Sequence, residues 1–217
     1  MEDFILRVCL ALPGFVLAIS FHEFAHAWTA FKYGDDTACR AGRMTINPAA
    51  HYDLFGTIIL PLILAGLGMG IFGYAKPVPV NSRNFKNYKK AIFWVSFAGP
   101  LANIILFIIS AFLLTLMITQ VPQDFYLYDP FIQMLRSSVF INILLAVFNL
   151  IPFPPLDGSR MVSIFMNYDM ARKYEGLQRF SIIFFLILWQ TNLLGYLMRP
   201  ALYVGSDIIS LFYNMLV

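Results

Sequence analysis

The sequence predicts an all-α integral membrane protein, a helical bundle of five to six membrane segments. The chain of 217 residues is 59% hydrophobic and 12% charged, with a mean hydropathy of +0.71. Soluble domains carry about 25% charged residues, so the composition excludes an ordinary soluble protein. Several stretches also lack charged residues over the roughly 18 positions that cross a hydrocarbon core of about 30 Å.

Five apolar windows are expected to span the membrane as helices. They are Phe4–Phe31, Ile92–Gln120, Ser137–Leu156, Phe180–Met198 and Pro200–Val217. We expect residues 1–217 to form a single domain, with a core at 4–161 and additional membrane helices at 180–217. Asp207 is the acid embedded in the last window, and we expect it to be a buried hydrogen-bonding group of the bundle.

The first window begins with MEDFILR and ends in the pattern HEFAH. Two acids beside one Arg, without a small-residue cleavage site, predict a retained helix rather than a signal peptide. His22 and His26 are four residues apart, so a helix places both on one face, where they can bind one metal ion. Glu23 lies next to the first histidine, as does the general base of zinc hydrolases of the H-E-x-x-H type.

A catalytic zinc site needs a third protein ligand, which HEFAH does not contain. The segment FNLIPFPPLDGSR, Phe148–Arg160, closes an apolar window with three prolines and then presents Asp157. Irregular backbone at membrane depth is tolerated where it lines a cavity. Asp157 is therefore the predicted third ligand, and His51, the remaining histidine, is the other candidate. An ordinary turn at a helix end is the alternative interpretation of the Asp-Gly pair.

The segment Leu54–Phe72 is predicted to re-enter the membrane rather than cross it. If it spanned, HEFAH and Asp157 would lie on opposite sides of the bilayer, and one site could not contain both. Pro61 and three glycines in the segment suit a re-entrant element. An ordinary additional span is the alternative.

The basic residues indicate the orientation of the chain. With a re-entrant Leu54–Phe72, twelve of the fifteen Lys and Arg residues share one side, opposed by Arg7, Arg136 and Arg199. This bias places the mouth of the site towards the cytoplasm. The apolar windows predict a lipid bilayer around the protein. The basic residues lie in short loops rather than in one stripe, so the sequence predicts no nucleic-acid partner.

Further residues are candidates for supporting roles. The stretches 38–48 and 75–81 have strand character and predict a small membrane-associated β element, whose free edge can hold an extended peptide. Asn149 is a candidate to stabilise an oxyanion or to position substrate, with helix packing as the alternative. His51 and Asn103 are weaker candidates for the same positioning roles.

Four motifs together resemble one family. HEFAH, NPAAH at 47–51, AGPLAN at 98–103 and NLIPFPPLDGSR at 149–160 are similar to the site-2 protease family of intramembrane zinc metalloproteases. Their order and spacing match from Phe15 to about Met161. The form resembled is compact, without a PDZ or CBS domain, and the family carries a membrane-associated sheet beside its site.

The resemblance implies specific roles and partners. One zinc ion per chain would be bound by His22, His26 and Asp157, with Glu23 as the catalytic base. The expected activity is zinc-dependent hydrolysis of a peptide bond within or near a transmembrane segment of a membrane protein or peptide substrate. The expected location is a prokaryotic plasma membrane, and no oligomeric state is assigned. A metal transporter and a catalytically silent scaffold are the alternative functions.

Overall fold

The computed structural model describes residues 2–66 and 73–217 as a helical protein. Its α-helices are α1 (Glu2–Lys32), α2 (Thr37–Arg40), α3 (Leu60–Gly66), α4 (Tyr88–Gln120), α5 (Tyr128–Asn149), α6 (Asp157–Ser163), α7 (Tyr168–Glu175), α8 (Ser181–Gln190) and α9 (Leu193–Leu216). A π-helical turn, Leu54–Ile59, leads into α3, and 3₁₀ turns occupy Pro48–Ala50, Ser82–Asn84 and Gly176–Phe180.

Three long helices form the centre of the bundle. Within the described ranges, Val8–Lys32 of α1, α4 and α5 are each long and apolar enough to cross a membrane. Asn103 of α4 donates to the carbonyl of Ala18 in α1, and Ser138 of α5 packs against Gly14. Together with the contacts at the helix ends described below, they show that α4 runs antiparallel to α1 and that α5 runs parallel to it. The carboxyl ends of α1 and α5 therefore meet the amino end of α4 at one end of the bundle, called the site end below.

The connection between α1 and α4 begins and ends at the site end. Its two arms are paired by backbone hydrogen bonds from Tyr74 to Gly56 (3.0 Å) and from Lys76 to His51 (3.0 Å). Gly56 and Tyr74 therefore lie side by side at the same end of the bundle. This geometry supports the predicted re-entry of 54–72, of which 67–72 lie outside the described residues.

The strap, residues Ala75–Asn81, is an extended segment that runs past the end of α1. The part of the chain that the structure describes contains no β-strand, so the predicted β element is not confirmed. Pro77 and Pro79 lack the N–H groups that a ladder needs. The strap nevertheless has fixed ends, because Arg43 donates to the Lys76 carbonyl (2.6 Å) and Asp35 accepts from the Asn81 N–H (2.7 Å).

Asp35 fastens the strap to the end of α1. Its buried carboxylate also accepts hydrogen bonds from the Thr37 hydroxyl and the Asn84 amide (2.8 Å). Burial opposes ionisation of this carboxyl, but the surrounding donors outweigh that effect and lower the pKa of Asp35 below its usual value. The carboxylate is therefore ionised at neutral pH and holds the strap through several donors.

The last two membrane windows differ from the prediction. Phe180–Met198 is not one helix, because Asn192 adopts a left-handed conformation (φ 56°) between α8 and α9. The ten residues of α8 reach about 15 Å, too short to span alone. Tyr168–Leu188 and Leu193–Leu216 bend by 75° and count together as one candidate span. The described residues thus provide up to four spans, against the five predicted.

Asp207 also differs from its prediction. It lies on α9 with its side chain exposed, whereas α9 packs through Met198 and Gly205 against the bundle. The prediction of a buried hydrogen-bonding group was wrong, because the face of α9 that carries Asp207 is directed away from the bundle.

The shared site end predicts a labelling pattern. Single cysteines replacing Arg40, Lys86 or Arg172, in a chain with Cys9→Ser and Cys39→Ser, should all react with an impermeant thiol reagent from the same side of sealed vesicles. A cysteine replacing Asp124, in the α4–α5 connection, should react from the other side. Labelling of positions 40 and 86 from opposite sides would contradict this fold.

Candidate metal centre

Three side chains from distant parts of the sequence converge at the site end. His22 Nε2 and His26 Nε2 lie 3.0 Å apart, and Asp157 Oδ2 lies 3.2 Å from the first and 3.3 Å from the second. Both histidines are buried, and Asp157 is partly buried. In the described part of the chain, this is a cluster of His and Asp side chains that could hold a metal ion.

The chain after α5 places Asp157 opposite the two histidines. Proline residues follow the end of α5 at Asn149, and the helix resumes with Asp157 as its first residue. Gly158 allows this tight return, since a Cβ there would lie 2.3 Å from the Leu150 carbonyl oxygen. The Ser159 hydroxyl donates to the Leu156 carbonyl (2.6 Å) and secures the turn.

The outer nitrogen of each imidazole is held by an acceptor. His22 Nδ1 lies 2.7 Å from Asn103 Oδ1, and His26 Nδ1 lies 2.6 Å from the Val95 carbonyl oxygen. The Asn103 amide nitrogen donates to the Ala18 carbonyl and to Asn142 Oδ1, so its oxygen must face His22. Both Nδ1 atoms therefore carry the proton, and both Nε2 lone pairs point to the centre of the cluster.

Two Nε2 lone pairs and a carboxylate oxygen meet with no hydrogen between them when the rings are neutral. Asp157 Oδ2 is buried and accepts no hydrogen bond from the described residues. Such a group of acceptors requires a cation. Zinc bound tetrahedrally places neighbouring N and O ligands about 3.4 Å apart, close to the 3.0–3.3 Å edges here. The donor set and its spacing therefore fit zinc.

A water-accessible cleft of about 530 Å³ opens onto the cluster. The three cluster residues line it together with Glu23, the strap and the partly exposed end of α5. Glu23 Oε2 accepts a hydrogen bond from the Val78 N–H of the strap (2.7 Å). Its other oxygen has no such bond in the described part of the chain, so Glu23 is held at one oxygen.

The other sequence-predicted residues lie at different distances from the cleft. Asn149 lines it, and its amide donates to the Leu145 carbonyl (3.0 Å). Asn103 is fully buried behind His22. His51 is buried beside α1, donates to the Thr45 carbonyl (2.7 Å) and supports the strap through its own carbonyl. The structure thus brings Asp157, and not His51, to the two HEFAH histidines.

Sequence reasoning missed Asn142, and it assigned Gly99 to close helix packing without placing it against the two histidines. Asn142 links Asn103 to Ser138, whose hydroxyl lies 2.8 Å from that of Ser110, so a polar chain that starts at His22 joins α1, α4 and α5. The signal in the sequence that could have revealed this chain is the presence of polar residues inside apolar windows. Gly99 packs directly against the cluster, and a Cβ there would lie 2.5 Å from His26 Nε2 and 2.6 Å from His22 Nε2.

Comparison with known proteins agrees with this geometry. The sequence profile of peptidase family M50 matches residues 116–189, which include the Asp157 turn. The chain is 39% identical over 193 residues to "Putative zinc metalloprotease YwhC" of Bacillus subtilis, covering 88% of this chain and 85% of the relative. The chain belongs to peptidase family M50, the site-2 protease family. The M50 protein is thus a zinc metalloprotease with helices suited to a membrane.

More distant relatives have the same description. "Putative zinc metalloprotease Rip2" of Mycobacterium tuberculosis is 28% identical over 185 residues, covering 83% of this chain and 66% of the relative. Rip2 of Mycolicibacterium smegmatis is 28% identical over 190 residues, covering 86% and 68%. No solved structure matches the chain significantly.

The close packing of Gly99 predicts a sensitive position in α4. Gly99→Ala should lower the metal content of the purified protein strongly, because the added methyl group occupies the space beside both Nε2 atoms. Gly176→Ala is the matched control, since a Cβ at that position meets nothing within 4 Å. Full metal content in Gly99→Ala, measured by atomic emission, would contradict the placement of the metal in this cluster.

Proposed function

We propose that this M50 protein is an intramembrane endopeptidase that holds one zinc ion per chain at His22, His26 and Asp157. The observation that carries the proposal is the convergence of two Nε2 lone pairs and one carboxylate oxygen at the end of a cleft. Three protein ligands leave a fourth tetrahedral position open, as catalytic zinc sites require. When bound, zinc supplies Lewis acidity that favours deprotonation of water and polarises a peptide carbonyl.

Glu23 is the general base in this proposal. Its position next to His22 directs the carboxylate into the cleft, and the Val78 N–H holds one oxygen while the other remains free. The free oxygen takes the proton of the attacking water and returns it to the leaving amine. General acid–base catalysis of this kind contributes about 10²–10⁴-fold to a rate.

The substrate is a membrane protein or peptide whose cleaved bond lies in or near a transmembrane segment. Helical peptide bonds are occupied by their own hydrogen bonds, so the segment must unwind before it enters the cleft. The extended strap forms one wall and offers an edge for an extended peptide. Asn149 lines the same cleft, and its second amide hydrogen is available to the substrate carbonyl or the oxyanion.

Asn103 and His51 act indirectly in this scheme. Asn103 fixes the ring orientation and tautomer of His22, and His51 fixes the strap through the Lys76 N–H. Both are positioning residues, because neither lines the cleft.

We also propose a cytoplasmic opening of the cleft in a prokaryotic plasma membrane. The connections at the site end carry most of the Lys and Arg residues, and basic loops remain in the cytoplasm. Residues 1–217 then form a single domain, since α9 packs against both α4 and α5 in the core.

The geometry favours a hydrolase over a metal transporter. A transit site needs a polar path on both sides of the ligands. Behind His22, the amides of Asn103 and Asn142 are buried and hydrogen-bonded within the bundle, beside an apolar cluster that includes Phe15 and Ile19. The cluster therefore opens on one side, towards the cleft.

The ligand assignment predicts the zinc content of single variants. His22→Ala, His26→Ala and Asp157→Ala should each weaken zinc binding by more than the roughly 10- to 100-fold typical of losing an outer-shell partner. His51→Ala should keep zinc, because His51 lies outside the cluster. Retention of zinc by Asp157→Ala together with its loss from His51→Ala would show that the third ligand is misassigned.

If Glu23 is the general base, replacing it should slow cleavage without loss of zinc binding. Glu23→Gln keeps an acceptor for the Val78 N–H, so it should fold and bind zinc, yet cleave a helix-destabilised transmembrane substrate about 10²–10⁴-fold more slowly. Glu175→Gln, an exposed acid outside this cleft, is the matched control. Undiminished cleavage by Glu23→Gln in liposomes would refute the mechanism. Zinc flux through the parent protein without cleavage of any substrate would favour a transporter.

A further inference from the structure

A stripe of polar side chains runs along the outer face of α9. All of its members are exposed and recur three or four residues apart, so they share one helix face. They are Tyr196, Arg199, Tyr203, Ser206, Asp207, Ser210 and Asn214. The proposed protease mechanism uses none of them, and no residue of α9 lines the cleft.

The opposite face of α9 holds the helix against the bundle. Met198 is buried in the apolar cluster that contains Phe107 and Ile143, and Ile208 and Phe212 pack against the same cluster. The polar stripe is therefore directed away from the protein.

This stripe lies at membrane depth. A Cβ at Gly205 would lie 3.0 Å from Ile143 and 3.6 Å from Phe107, residues in the interior of the α5 and α4 spans. Farther along, the Gln120 amide donates to the Leu216 carbonyl (3.2 Å), so α9 runs beside α4 to the far end of the bundle. Asp207 is two residues from Gly205, in the region where ionisable and hydrogen-bonding groups are costly against lipid.

Three polar side chains of the stripe, Asp207, Ser210 and Asn214, have no partner within the described residues. Ser206 donates to the Tyr203 carbonyl of its own helix (2.7 Å). No hydrogen bond or ion pair to the side chains of Asp207, Ser210 or Asn214 is formed in the part of the chain that the structure describes. Groups of this kind at membrane depth call for a partner from another molecule.

We propose that this partner is α9 of a second copy, which makes the protein a parallel homodimer in the membrane. Tyr203, Asp207, Ser210 and Asn214 follow one another at intervals of four, three and four, the spacing of a coiled-coil seam. Ser206 and Ser210 form a small-xxx-small pair that lets two membrane helices approach closely.

The stripe supplies both hydrogen-bond donors and acceptors to its own copy. Two copies inserted with the same orientation place their α9 helices parallel, which brings each stripe against its own sequence. The Asn214 amide is both donor and acceptor and pairs with its counterpart, as a seam asparagine does in parallel coiled coils. The Asp207 carboxyl accepts from Ser210 of the second copy, one turn along. The cleft stays accessible in this dimer, because it lies on other elements.

Cysteine cross-linking in liposomes tests the pairing with the full chain. In a chain with Cys9→Ser and Cys39→Ser, Ser210→Cys should form a disulfide-linked dimer under mild oxidation. Leu211→Cys, exposed on the same helix but outside the seam, is the matched control and should not. Equal cross-linking of both variants would indicate random collision and overturn the proposal.

Fluorescence energy transfer between labelled copies measures the strength of the pairing. Replacing both Ser210 and Asn214 by Leu should weaken dimerisation about tenfold or more, while Leu202→Ala should leave it unchanged. Retained zinc content in the double variant would show that it folds. A parent protein that stays monomeric as the lipid-to-protein ratio falls would refute the dimer, as would occupation of the stripe by a different membrane protein. Neither result would bear on the proposed protease function.

Discussion

Three hydrogen-bond acceptors that meet inside a membrane protein are the constraint on which the structure depends. His22 Nε2, His26 Nε2 and Asp157 Oδ2 lie 3.0–3.3 Å from one another. A buried acceptor left without a partner costs about 1–3 kcal/mol. Without a bound cation, these three unpaired acceptors would destabilise the fold that brings them together. The proposed zinc ion would resolve the conflict and would explain why these residue types occur in an otherwise apolar bundle.

The rest of the bundle serves the same constraint. Asn103 and the Val95 carbonyl hold the two Nδ1–H groups, so the lone pairs needed for a metal are directed inwards. Loss of such a buried acceptor would leave a donor unpaired at a cost of about 1–3 kcal/mol. Gly99 lets α4 approach α1 closely enough for these contacts to form. The polar chain through Asn142 then ties the histidine orientation to the packing of α1, α4 and α5.

More of the site than of the fold could be predicted from the sequence. HEFAH and the LDG aspartate have spacings that follow from helix geometry and ligand chemistry, so their convergence was predictable. The partners of the imidazoles were not, because a backbone carbonyl such as that of Val95 leaves no mark in a sequence. The break at Asn192 was also missed, although the polar residues Gln190, Thr191 and Asn192 interrupt the apolar run and asparagine adopts the left-handed conformation more readily than most residues. The exposed face of α9 contradicts the expectation for Asp207, which rested on a bundle in which every helix face has a partner.

X-ray absorption at the zinc edge of the purified protein in liposomes tests the central claim most directly. The account predicts a first shell of nitrogen and oxygen at about 2.0–2.2 Å with the outer-shell scattering of two imidazoles. Replacement of Asp157 by Ala should remove one light-atom ligand from that shell. Sulfur scattering at about 2.3 Å, or a shell with a single imidazole, would contradict the assignment of zinc to His22, His26 and Asp157.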